Sequence, residues 1–307
     1  MRKLTAVLAG LLFAVVARAE VIVPAWLTGA ETDSPAHLTR DQLEAWVDGQ
    51  PAAVLDVRQP GGPLVLLLVM DTVSNLNRVD AARGALRERL QSMPPDWRVG
   101  LLRAQDGLEV VADPTNDVPG LINELDSVAV TGLPDLLDAV LPVASIADSM
   151  IHSARVRVAV LFVTDGSIES YRGNLTSTVI NRSDNRDLSR RFNDRIIQER
   201  ITSMARALQQ YSAPLFFVHL EERSRQEERA YQDGIQEFAR VSGGEAFFVR
   251  SLSDVAPTID QALDRIAGQY AVRVATPDGA TGVVDVRLEL HSGTLQLDHR
   301  ASVPVSE

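Results

Sequence analysis

The chain of 307 residues has no cysteine. That single absence excludes a disulfide, a thiolate zinc site and a cysteine nucleophile. There is no G-x-G-x-x-G and no P-loop, so a nucleotide site built on a glycine-rich turn has nothing to stand on. There is no G-x-S-x-G elbow, which removes the usual serine hydrolase arrangement. The five histidines, His37, His152, His219, His291 and His299, form no H-E-x-x-H or other metal-ligand spacing. His219 closes an apolar strand, where a packed or surface side chain is expected rather than a base. Positive charge is also in short supply: Lys plus Arg number 30 against 41 Asp plus Glu, a net charge of -11. Nucleic-acid binding runs on phosphate neutralisation, so this balance argues against it. The arginines at 182, 186, 190, 191 and 195 read as the solvated start of a helix.

What is present begins with a leader. Arg2 and Lys3 precede an apolar run from Leu4 to Val16, and Ala17-Arg18-Ala19 fits a small-x-small cleavage site. The run is short for a membrane span, and the three parts together read as a secretory signal over 1–19. Its removal takes three positive charges and moves the net charge from -11 to -14. The expectation is an exported protein, periplasmic or extracellular, with no integral span once the leader is gone.

The remaining chain, 45% hydrophobic and 23% charged, has the balance of a folded globular protein. Residues 20–62 hold a turn that Thr39 is suited to cap, a hairpin signal at Asp48-Gly49 with Ala53 to Val57 as the returning strand, and a Pro/Gly linker. From Leu64 the pattern alternates. Leu64 to Met70 is an unbroken apolar run, as in a parallel strand buried on both faces. Helical spacing over Val79 to Leu90 is followed by strands at Trp97 to Arg103 and Leu108 to Ala112. Helices are expected over Val118 to Leu125 and Leu136 to Ile146, then a second apolar strand over Val156 to Val163. The polar stretch Ser167 to Arg186 carries two Asn-x-Ser/Thr sites, at Asn174 and Asn181. Helix, strand, helix, strand, helix follow to Ile266. Such βα alternation implies a doubly wound, mostly parallel sheet flanked by helices, over about 63–270. In the tail, 271–307, Val284, Val286, Leu288 and Leu290 alternate with charged residues, a half-buried antiparallel strand. The N-terminal hairpin and this tail are expected to meet as a small flanking β module.

In doubly wound sheets ligands bind beyond the carboxyl ends of the strands. Two apolar strands here end on an aspartate, Met70-Asp71 and Thr164-Asp165. A carboxylate beside apolar strands is costly unless it is hydrogen-bonded, paired or bound to a cation. Two readings follow: a hard-oxygen site for Mg²⁺ or Ca²⁺, or a pair of loop organisers accepting backbone N–H groups at the turns that follow.

The order strand-Asp, helices, strand-Thr-Asp-Gly, strand, strand resembles the von Willebrand factor A domain over about Pro63 to Tyr270. Leu38-Thr39-Arg40-Asp41-Gln42-Leu43 with Val47-Asp48-Gly49-Gln50-Pro51, the Phe238 to Phe248 stretch through Gly243-Gly244, and Ile266-Ala267-Gly268-Gln269-Tyr270 are similar to segments of bacterial secreted proteins related to that domain. The resemblance implies a Rossmann-like fold and a metal-dependent adhesion site. Asp71 and Asp165 would be two of its ligands. Asn75 stands where a serine is expected, and Thr131 is a candidate for the threonine, although an alignment on Asp138-Ala139 puts Pro134 there instead. Val73 stands at another serine position and has no oxygen to give, so the site reads as degenerate. The functional expectation is a non-catalytic protein-binding or scaffold module of the cell envelope or exterior, with no cofactor or a divalent cation, contacting a protein partner through loops at the strand ends. A structural subunit assembling through the β module and a metal-dependent hydrolase are the alternatives.

Overall fold

A computed structural model of the chain describes residues 19–29, 37–154, 156–167, 188–222, 226–291 and 295–305. The expected leader before Ala19 and the polar arm beyond Ser167, with its two Asn-x-Ser/Thr sites, lie outside these residues.

The N-terminal part supplies β1 (Glu20–Thr28), β2 (Leu43–Val47), β3 (Gln50–Ala52) and β4 (Val54–Arg58). Then come β5 (Leu64–Asp71), α1 (Leu76–Gln91), β6 (Trp97–Ala104), β7 (Leu108–Thr115), α2 (Val118–Ser127), α3 (Leu136–Ala154) and β8 (Arg157–Thr164). The second half runs α4 (Leu188–Leu208), β9 (Leu215–His219), α5 (Gln226–Ser242), β10 (Ala246–Phe248) and α6 (Val255–Ala267). The tail adds β11 (Tyr270–Ala275), β12 (Val283–Leu290), β13 (Gln296–His299) and β14 (Ser302–Pro304).

The central sheet has the order β10-β9-β8-β5-β6-β7, parallel except for β7, which returns antiparallel beside β6. Its middle strands read as continuous apolar runs because each face is covered. Leu67 and Val69 of β5 join a core with α3, α4 and α5, while Leu64, Leu66, Leu68 and Met70 join a core with α1, α2 and α6. Helix α3 is long and apolar enough to cross a membrane by length and composition alone, against the sequence expectation that no stretch after the leader is. It packs instead on the sheet, burying Leu137, Val140, Val143, Ala147 and Ile151.

The expected hairpin and tail do meet: β2 pairs antiparallel with β12, Val47 opposite Val286 and Leu43 opposite Leu290. The module is larger than the expectation. Two four-stranded sheets, β13-β1-β11-β4 and β14-β12-β2-β3, share one core of Val21, Val23, Val47, Val272, Val286 and Val303 among others. The strand expected over Ala53 to Val57 forms, as β4, but it is not the one that returns beside β2. Gln50–Ala52 completes the hairpin with β2, and after Ala53 the chain crosses to the other sheet, where β4 pairs with β11. One strand cannot fill both edges of a sandwich, so the chain changes sheets at its corner.

This module covers the N-terminal ends of the central strands. Trp26 on β1 turns away from the module core and meets Phe216 of β9 edge-on at 6.1 Å, and its Nε1 donates to the Arg265 carbonyl on α6 at 2.7 Å. The Arg265 guanidinium lies over the same indole at 4.5 Å. Arg157, 2% exposed at the start of β8, donates to the carbonyls of Gly62 (2.7 Å) and Gln269 (2.8 Å), the two segments that join module and sheet. Arg300, 4% exposed, donates to Tyr211 (2.5 Å) and Gln209 (3.1 Å), just past the end of α4. Burial lowers both guanidinium pKa values to about 10, so both stay charged at neutral pH.

Candidate functional site

With one end of the sheet covered, the other end carries Asp71 and Asp165. The aspartates close β5 and β8, which are paired in register so that Asp71 stands opposite Thr164. Both side chains are fully or almost fully buried. The Asp165 N–H donates to the Asp71 carbonyl at 3.2 Å, which ties the two strand ends together.

Asp165 gathers the loop between β5 and α1. Its Oδ1 accepts the Val73 N–H at 2.7 Å. Its Oδ2 accepts the Ser74 N–H at 2.8 Å, the Ser74 hydroxyl at 3.0 Å and the Asn75 N–H at 2.7 Å. Three successive backbone N–H groups pointing inward make a concave site for an anion, at the positive end of α1. Asn75 caps that helix, its Oδ1 accepting the Arg78 N–H at 3.3 Å. Helix α1 is in turn held to the neighbouring strand ends by the Arg78 guanidinium, which donates to the carbonyls of Leu220, Val249 and Arg250.

Asp71 faces a different set. Its Oδ2 accepts the Thr164 hydroxyl at 2.7 Å and its Oδ1 the Asp135 N–H at 3.0 Å. Burial is the main cause that raises its pKa to about 7, and the negative charges of Asp165 and Asp135 push the same way. The two hydrogen bonds pull it down. The Asp135 carboxyl is also raised, first by burial and then by Asp106, with Arg200 opposing. Space at Gly166 is tight: an added Cβ would stand 3.1 Å from the Thr164 hydroxyl and 3.3 Å from Asp71 Oδ2, so a neighbour would have to give by a few tenths of an ångström. His219 is a packed residue, as expected. It is buried, with Nε2 at 2.9 Å from the Gly166 carbonyl and Nδ1 accepting the Glu221 N–H at 3.2 Å.

Of the four residues expected around a cation, the fold brings Asp71, Asn75 and Asp165 to one strand-end site. Thr131 is exposed, four residues ahead of the Asp135 N–H through which its loop reaches Asp71. Pro134, the other candidate for that position, is buried and bridges Gln105. Sequence reasoning passed over Ser74, Thr164 and Asp135. Thr164 and Ser74 sit one residue from the aspartate and the cap that it did single out, but a short polar side chain at a strand end or helix start is too common a signal to select. Asp135 takes part through its backbone, which no side-chain pattern reveals.

Three leucines are exposed in segments at this end of the sheet: Leu76 at the start of α1 (60% exposed), Leu133 before Asp135 (44%) and Leu252 after β10 (51%). They are half of the six large hydrophobic residues left exposed among the described residues, and all three lie at this end of the sheet.

Residues 67–167 match the von Willebrand factor type A domain, and the chain carries a domain of this type. Among solved structures, the PilB minor pilin from Streptococcus sanguinis, as a D319A mutant, aligns over 69% of this chain and 63% of its own at 13% identity, TM-score 0.50. The vWF domain of the type V pili tip protein Mfa5 from Porphyromonas gingivalis aligns over 68% of this chain and 96% of its own at 11% identity, TM-score 0.45. An aerotolerance-related membrane protein from Bacteroides fragilis aligns over 66% and 100% at 14% identity, TM-score 0.40. At these identities the likeness is one of fold. No curated protein is matched by the sequence.

Proposed function

We propose that this chain is an exported, non-catalytic protein-binding module of the cell envelope or exterior, and that its partner docks on the loops beyond Asp71 and Asp165. The observation that carries this is the placement of Leu76, Leu133 and Leu252. Contiguous exposed apolar surface marks contact sites, and three of the most exposed leucines stand at one end of the sheet. They lie at the end of the sheet opposite the one that the module meets. The leader-like start, Arg2-Lys3 followed by the apolar run to Val16, supports export.

A binding role suits this site better than hydrolysis. A general base needs a free lone pair within reach of substrate. Asp165 is 1% exposed and accepts four donors, Asp71 is 0% exposed, and both ring nitrogens of His219 are engaged inside the fold.

The test is proximity crosslinking in the native cell envelope with the full chain and the triple variant Leu76→Ser, Leu133→Ser, Leu252→Ser. The expected result is a defined set of crosslinked proteins that the triple variant loses while circular dichroism and thermal unfolding stay unchanged. An identical crosslinked set with the folded variant would overturn the proposal.

A further inference from the structure

We infer that the docking face is shaped without a cation, because the Asp165 carboxylate organises the 73–75 loop from inside. The family resemblance implies a divalent cation among Asp71, Asn75, Thr131 and Asp165, and the donor set present does not fit one. A carboxylate offers about four lone-pair sites. Asp165 accepts four donors there, the Val73 N–H on Oδ1 and the Ser74 N–H, the Ser74 hydroxyl and the Asn75 N–H on Oδ2. Mg²⁺ and Ca²⁺ take six or more oxygens. Val73 has none in its side chain, and Asn75 Oδ1 is committed to the helix cap. Asp71 is 0% exposed and accepts the Thr164 hydroxyl and the Asp135 N–H, one on each oxygen.

Electrostatics leads to the same place by a separate route. The three N–H groups converge at the N-terminus of α1, where positive potential accumulates. A carboxylate is attracted there and a cation is repelled. For an ion to take its place, Asp165 would have to swing away from four charge-assisted hydrogen bonds and leave three N–H groups facing the ion. The carboxylate and the loop therefore form a closed electrostatic unit. For partner capture, which rests on the function proposed above, the consequence is that chelators leave it unchanged.

Hydrogen–deuterium exchange on the intact chain tests this with no partner involved, so it can fail while the binding role survives, and the reverse. The chain is stripped with EDTA, then measured alone and with millimolar Mg²⁺ or Ca²⁺. The amides of Val73, Ser74 and Asn75 are expected to exchange slowly in EDTA and to change by less than about twofold with either ion, since local opening is set by the Asp165 bonds. Asp165→Asn is expected to speed exchange at these amides by about tenfold or more in EDTA, as for any local unit that loses its closing interaction. Fast exchange in EDTA that slows on adding either ion would overturn the inference. So would an unfolding temperature that rises with Mg²⁺ or Ca²⁺ in the wild type. Both readouts need only the wild-type chain, so they decide the matter even if the Asp165 variant fails to fold. Ser74→Ala, which removes a single hydroxyl bond, gives an intermediate point.

Discussion

The two ends of the central sheet solve the same problem with opposite charges. At the end where strands begin and helices finish, carbonyl groups are left over. Arg157 and Arg300 are buried there, donating to Gly62, Ala267 and Gln269 and to Gln209 and Tyr211. At the end where strands finish and helices begin, N–H groups are left over. Asp165 and Asp71 are buried there, accepting from residues 73–75 and from Asp135. Each buried charge answers the backbone polarity of its end of the sheet. The ends differ in what covers them. The module's β1 seals the arginine end through Trp26, while the aspartate end keeps Leu76, Leu133 and Leu252 in contact with water. A buried charge is therefore weak evidence for a binding site, and the exposed leucines are the better guide.

The comparison breaks most visibly under a change of pH. Arg157 and Arg300 titrate near 10 and stay charged, whereas Asp71 titrates near 7. Its folded pKa is raised above the unfolded value of 3.8. Its stabilising contribution is thus fully present below about pH 4 and is lost as pH rises through about 7. The loss is on the order of 4 kcal/mol if the shift is fully expressed. Urea unfolding of wild type and Asp71→Asn from pH 4 to 8 should give curves that diverge over this window, and parallel curves would show that Asp71 does not carry the shift.

At the other end, Arg157→Leu leaves the carbonyls of Gly62 and Gln269 without a donor and should cost about 3 kcal/mol in chemical denaturation, the range for uncompensated buried polar groups. A smaller effect than that of Asp165→Asn would reverse the ranking of the two ends. Asp165→Asn keeps the volume of the side chain but weakens its charge-assisted bonds, and we expect a loss of about 2 kcal/mol, measured the same way. The smallest effect belongs to the surface. Leu76→Ser and Leu252→Ser should each change stability by less than about 0.5 kcal/mol, and a clear destabilisation would mean that these leucines pack rather than wait for a partner.

The central strands were legible because both of their faces are buried, which leaves an unbroken apolar run, and an aspartate ending such a run announces itself. Strand β1 gave no comparable signal. Val21, Val23 and Ala25 face the module core while Trp26 faces the sheet, and Pro24 lies between them, so no simple alternation marks the strand. The crossing at Ala53 between two sheets was hidden for a related reason: an edge residue gives no sign of which neighbour it pairs with. At the site, Asp71, Asn75 and Asp165 were picked out by position and type, and the closing roles of Thr164, Ser74 and the Asp135 backbone were not.

The sequence by itself determined the alternating α/β architecture, the flanking β segments and the location of two carboxylates at the ends of two apolar strands, because periodicity and local chain order are written in residue types; that the two strands are neighbours came from the fold. Only the tertiary structure decided what those carboxylates face. Whether an aspartate meets a cation or three N–H groups depends on where a loop close in space, but 90 residues away in the chain, turns its backbone, and hydrogen-bond direction is a property of the folded chain that no single residue type carries.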